Sequence, residues 1–182
     1  MISTDESALP EGAVDELARA VGVQLVGETD GTGLQIAIAA SRFNGGVTRR
    51  LIDGALDGLA ACSVERANVS LAWVPGAFEL PLLAQYFANS GTVHAVVCLG
   101  AVIRGETGHY DFVAGQCAAG IQRVQLDTGL PVVFGVLTTE NLEQALERSR
   151  PDETNRGRDA AFTAVEMVRL LAAESPLARL GG

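Results

Sequence analysis

The stretch VCLGAVIRGETGHYDFVAGQ, residues 97–116, holds an apolar run, a turn and a helix start in close succession. The apolar run belongs to a candidate strand over Ala95–Ile103. Glycines and small polar groups follow it, with Arg104 and His109 among them, and a helical pattern begins near Asp111. An unbroken aliphatic run followed by a glycine turn and a helix is one step of a parallel α/β sheet. It puts Arg104, Thr107 and His109 at the carboxyl end of a buried strand, where open α/β sheets hold their ligands. The second histidine, His94, comes one residue before the strand, lacks such company and reads as structural.

The same unit recurs on either side. Leu34–Ala40 (LQIAIAA) is a candidate strand, and Ser41–Gly46 is loop chemistry. Val47, Leu51, Ile52, Ala55, Leu56 and Leu59 then recur at helical spacing. Val69–Val74 (VSLAWV) is a second strand, broken by Pro75-Gly76. Phe78–Ala88 is helical, with Pro81 in its first turns, where proline is tolerated. Asp111–Leu126 forms a third helix and Pro131–Leu137 (PVVFGVL) a fourth strand. Thr138–Asn141 caps a helix over 142–149, and a last helix runs from Asn155 to Ala173. Alternation of this kind predicts a four-stranded parallel sheet with helices on both faces, joined by right-handed crossovers.

Composition narrows the function. The chain has 182 residues, 48% of them hydrophobic, enough for one ordinary domain. No apolar run approaches the roughly 20 residues that span a bilayer. The amino terminus, MISTDESALPEG, lacks a signal pattern, so a cytoplasmic location is expected. Net charge is −9, of which residues 1–33 contribute −6. That acidic segment reads as a mostly mobile arm, with one or two helical turns over Val14–Val21, suited to packing on a neighbouring subunit. An acidic chain without a basic stripe is a poor nucleic-acid binder. Cys62, Cys98 and Cys117 form no ligand spacing, which argues against a disulfide framework or a zinc site, and they read as buried thiols. All thirteen basic residues are arginine. A lysine Schiff base is therefore excluded, and any anion clamp must come from arginine, backbone amides or helix amino termini.

Four strand-to-loop junctions should meet at one edge of the sheet: Ser41–Asn44, Pro75–Glu79, Val102–His109 and Phe134–Glu140. Their joint content suits a flat polar heterocycle with a hydroxylated side chain and a nearby anion. Phe43 is either buried beneath the next helix or a stacking platform for a planar ring. Glu79 either complements a helix amino end or binds ligand hydroxyls and amines. His109 either caps a helix or serves as a general acid–base near neutral pH. The amides of Gly105-Glu106-Thr107 suit an oxyanion. Arg148 sits in the last turn of its helix, where a cation is welcome without any function, and Arg156 is equally ambiguous.

These words occur together in a known order. SRFN (41–44), PGAFELP (75–81), LGAVIRGETGHYDFV (99–113), FGVLTTENLEQALER (134–148) and NRG (155–157) resemble the lumazine synthase family of riboflavin biosynthesis, over Leu34–Leu171. The resemblance implies a three-layer, flavodoxin-like α/β/α domain over 34–182, preceded by the arm over 1–33. It implies condensation of 5-amino-6-(D-ribitylamino)uracil with 3,4-dihydroxy-2-butanone 4-phosphate to 6,7-dimethyl-8-ribityllumazine, with no metal and no organic cofactor. By motif position, Phe43 would stack on the pyrimidine ring with Asn44 beside it. Ala77, Phe78 and Glu79 would hold the ribityl chain, and Val102 and Ile103 would meet the ring edge through backbone groups. Glu106 and Thr107 would offer amides to the phosphate, and His109 would move protons. Phe134 would come from a neighbouring subunit, and Arg148 would grip the phosphate. Arg156 stands where the family usually has lysine, which keeps the charge but changes the fork and reach.

The family assembles as pentamers with sites between adjacent subunits, so a pentamer or a multiple of it is expected. Ser149–Thr154 carries a proline and two acids in place of the glycine- and lysine-rich turn of shell-forming members, which points away from a shell. Competing readings are a relative that consumes the lumazine product, a non-catalytic flavin or pteridine binder, and a shell-forming protein on the same fold. Small-molecule substrates, with neither nucleic acid nor membrane as partner, complete the expectation.

Overall fold

A computed structural model of the chain describes residues 9, 10 and 12–172. Its elements are α1 (Ala13–Ala18), β1 (Ile36–Ser41), α2 (Gly45–Ala61), β2 (Val69–Val74), α3 (Leu80–Asn89), β3 (Ala95–Ile103), α4 (His109–Thr128), β4 (Val132–Thr139), α5 (Leu142–Arg148) and α6 (Arg156–Ala172). Short 3-10 turns lie at Arg66–Asn68 and Ala77–Glu79. The strands pair in the order β2-β1-β3-β4, and every pair is parallel. The domain is thus a three-layer α/β sandwich of flavodoxin-like type.

The side-chain alternation of each strand splits the core in two. Ile36, Ile38 and Ala40 of β1 and Val97 and Leu99 of β3 pack against α2 and α6. Ala37 and Ala39, with Val96 and Cys98, pack against α3 and α4. Both faces of β1 are covered, so all six of its residues are buried and the run reads as continuous rather than alternating. The outer strands β2 and β4 are partly exposed.

Element boundaries moved where local chemistry outweighed the pattern. The helix after β1 starts at Gly45, so the two glycines read as loop form its first turn. Asn44 ahead of it takes a left-handed conformation, φ 56°, which asparagine tolerates better than most residues. The helix after β3 starts at His109, two residues before Asp111. Residues 1–8 and 11 of the arm, and Ala173 at the expected end of the last helix, lie outside the described residues.

The arm is not uniformly loose. Its helical turns come down to α1 alone, Ala13–Ala18, none of it buried. Its final stretch is pinned to the body of its own chain. The Gly31 amide donates to the Cys62 carbonyl at 2.6 Å, and the Arg169 guanidinium donates to the carbonyls of Asp30 and Thr32.

Helices α2 and α6 meet along a seam of small residues. A methyl group at Gly157 would lie 1.9 Å from the Leu51 carbonyl oxygen, and one at Gly54 would lie 2.2 Å from the Asn155 side chain. Asn155 is buried there and is fully used. Its amide donates to the carbonyls of Arg50 and Arg150, and its oxygen accepts from the Gly157 amide.

Two outcomes follow from this packing. Gly157→Ala sets a side chain against backbone that cannot swing away, and the loss expected is about 2–3 kcal/mol, as for other overpacked cores. Urea unfolding midpoints at an unchanged m-value measure it, and an unaltered midpoint contradicts so close an approach. The three thiols are buried. Burial holds Cys98 far above the ordinary thiol range and pushes Cys117 up to about 12. In native protein at pH 8, a chromogenic disulfide reagent should therefore react far more slowly than after unfolding. Because these thiols ionise more easily in the unfolded chain, their contribution is complete below about pH 8.5 and declines as pH rises above it.

Candidate functional site

The chain reverses direction across the sheet between β1 and β3. From β1 it moves outward through α2 to β2, then returns through α3 to β3 on the other side. The loops after β1 and β3 therefore part from neighbouring strands toward opposite faces and leave a crevice at their carboxyl ends. Two contacts tie its walls together. Asn44 donates from its side-chain amide to the Ala101 carbonyl at 2.9 Å, across the gap. The amides of Arg42 and Phe43 donate to the carbonyls of Val74 and Pro75, which fastens the β1 loop to the end of β2.

A cleft of about 390 Å³ occupies this crevice. Phe43, Asn44, Ala77, Phe78, Glu79, Val102, Ile103, Thr107 and His109 all line it, so nine expected residues from three separate words converge. Phe43 is 71% exposed, which settles its alternatives against burial beneath the next helix. Glu79 holds the 3-10 turn in place by accepting the Gly76 amide at 2.9 Å through one carboxylate oxygen. His109 is the first residue of α4 and is exposed, with its amide 3.4 Å from the Thr107 hydroxyl. Glu106 is exposed on the same loop but does not line the cleft. His94 is structural: its Nδ1 accepts the Gln35 amide at 2.8 Å.

Phe134, Arg148 and Arg156 lie elsewhere. They line a second hollow of about 430 Å³ that runs along β4, the open edge of the sheet, beside α5 and α6. There Arg148 donates to the Gln144 carbonyl at 3.3 Å, and Arg156 pairs with Asp159 at 2.8 Å. Within one chain, then, the junction after β4 does not bring Phe134 to the imidazole, and the two arginines do not meet it either. The expected convergence of four junctions holds for three.

Sequence reasoning passed over Tyr110 and Val113, which also line the cleft. Their signal was present: 110, 113, 117, 121 and 124 form one helical stripe of α4, of which Cys117, Ile121 and Val124 are buried and the first turn opens into the cleft. It also left Arg104 without partners. Arg104 in fact bonds Asp111 and Glu140 and lies over the Tyr110 ring. The bond to Asp111 foremost holds its guanidinium above the usual value.

Among the described residues, no group of three or more histidine, cysteine or acidic side chains is placed to hold a metal ion, and no helix is long and apolar enough to cross a membrane. The cleft gathers an exposed aromatic ring, a carboxylate and an imidazole. The comparison with family models agrees: the model for 6,7-dimethyl-8-ribityllumazine synthase matches residues 33–172, which takes in every element from β1 to α6. The chain belongs to the 6,7-dimethyl-8-ribityllumazine synthase family and, with it, to the enzymes of riboflavin biosynthesis.

Proposed function

We propose that the protein condenses 5-amino-6-(D-ribitylamino)uracil with 3,4-dihydroxy-2-butanone 4-phosphate to 6,7-dimethyl-8-ribityllumazine, releasing phosphate and water. One observation carries the reading: in a member of this family, Phe43, Glu79 and His109 share a cleft while Arg148 and Arg156 lie in a separate hollow on the sheet edge. A site with both a ring platform and an anion clamp then needs two copies of the chain, one giving the cleft and the other the β4 edge. Assembly as a pentamer or a multiple of it supplies such an arrangement.

In this scheme Phe43 stacks on the pyrimidine, with Asn44 beside it. Backbone groups of Val102 and Ile103 meet the ring edge. Ala77, Phe78 and Glu79 hold the ribityl chain, and Phe134 of the adjoining copy closes the ring pocket. The primary amine of the uracil adds to the ketone, and water leaves to give an imine. His109 moves protons in both directions at this step. Loss of the phosphate follows, its growing charge met by Arg148 and Arg156 and by the amides of Glu106 and Thr107. The carbonyl that results is attacked by the ribityl-bearing nitrogen, and a second water departs as the ring closes. No strong nucleophile is required, so holding two substrates together accounts for most of the acceleration.

Mixing the two substrates with the protein should produce lumazine fluorescence that depends on both, from a species that sizes well above a monomer. Tight binding of lumazine or flavin without turnover would favour the non-catalytic alternative instead. His109→Ala should slow turnover by about 10²-fold, the low end for a general acid–base, and leave measurable activity. Complete loss would contradict a mechanism dominated by positioning. Arg148→Ala should raise KM for the phosphate substrate by roughly tenfold or more, as for a lost charged hydrogen bond, and leave the uracil substrate unaffected. An unchanged KM removes Arg148 from the clamp.

A further inference from the structure

The loop that delivers His109 has little backbone support. Between Ile103 and Asp111 it includes Gly105 and Gly108. Its backbone bonds lie at its two ends, from the Arg104 amide to the Thr139 carbonyl at 2.9 Å and from the Asp111 amide to the Gly108 carbonyl at 3.2 Å. Between these ends, the Arg104 side chain gathers what the backbone does not. Its Nε forms an ion pair with Glu140 at 2.7 Å, and its two terminal nitrogens donate to the two oxygens of Asp111 at 3.0 and 3.4 Å. The guanidinium carbon sits 4.0 Å from the centre of the Tyr110 ring.

Two features separate this arrangement from an ordinary surface ion pair. First, the contacts join three elements: the loop itself, the first turn of α4 and the end of β4. Tyr110 and Asp111 directly follow His109, so whatever fixes them fixes the start of the helix that presents the imidazole. Second, the guanidinium edges point at carboxylates and one face is covered by a ring, so Arg104 is not free to clamp a substrate anion, and it does not line the cleft. The carboxylates are 63% and 61% exposed, a setting in which ion pairs add little to global stability. What a planar, bidentate and stacked cation contributes there is direction.

We propose that Arg104 is a positioning residue for the condensation: by gripping Asp111, Glu140 and the Tyr110 ring, it holds the first turn of α4 so that His109 faces the cleft. This rests on the reading of His109 given above. Arg104→Ala should lower kcat by roughly 10- to 100-fold, the scale of an ångström-sized misplacement, with KM for both substrates changed less than about threefold. Arg104→Lys keeps the charge but loses the fork and the stack, and should recover little of the loss. Placed on a His109→Ala background, Arg104→Ala should cost no more than about twofold, because the group it aims is gone. An equal loss in both backgrounds would overturn the proposal, as would full recovery with lysine. A separate readout needs no turnover: amide hydrogen exchange in the first turn of α4, residues 112–115, should quicken in Arg104→Ala while exchange in the helix middle stays constant. Unchanged exchange in that turn also overturns it. If wild-type protein makes no lumazine, the functional reading fails, yet the exchange measurement still judges the grip.

Discussion

Adjacent strands β1 and β3 are followed by helices that leave for opposite faces of the sheet, and the cleft exists because of that divergence. A single hydrogen bond, from the Asn44 side chain to the Ala101 carbonyl, spans the opening. The left-handed backbone at Asn44 aims that amide and at the same time starts α2. Phe43, one residue earlier, is thereby held out over the space with most of its ring uncovered. The ring and the crevice are thus products of the same local backbone.

The charges are arranged with equal economy. The chain is acidic overall, and its cations are used locally. Arg104 is consumed by two carboxylates and a ring, Arg156 is paired with Asp159, and Arg169 fastens the arm. Among the described residues, Arg148 bonds the carbonyl one turn back and no carboxylate. Its hollow lies on the open edge of β4, beside the partly exposed Phe134. The cleft with Phe43 and His109 and the hollow with Arg148 and Arg156 thus occupy two surfaces of one molecule.

How much of this the sequence disclosed depended on whether the determining contacts were local. LQIAIAA and VCLGAVI declared themselves as central strands because both of their faces are covered, and β4 was recognisable from PVVFGVL. The cleft side chains followed from the rule that loops after such strands share one rim. The start of α2 was misplaced because a helix beginning in two glycines contradicts propensity, and here the packing of Val47 and Leu51 prevails. The last part of the arm was read as loose since its anchors, Cys62 and Arg169, are distant in the chain. Arg104 was visible as a cation beside a candidate catalyst, but Glu140 could be matched to it only through the pairing of β3 with β4. The parting of Arg148 from His109 was likewise invisible, since one-dimensional order does not say on which side of a sheet a helix falls.

The glycine seam between α2 and α6 reaches further than packing. Helix α6 opens with Arg156 and carries Asp159 on its next turn, and its distance from α2 is set where Gly157 touches the Leu51 carbonyl. The contact therefore works as a spacer gauge between two helices, one of which also walls the hollow along β4. A bulkier side chain at Gly157 would push α6 off α2 and carry Arg156 and Asp159 with it, so a lesion in the interior of the protein could reshape the rim.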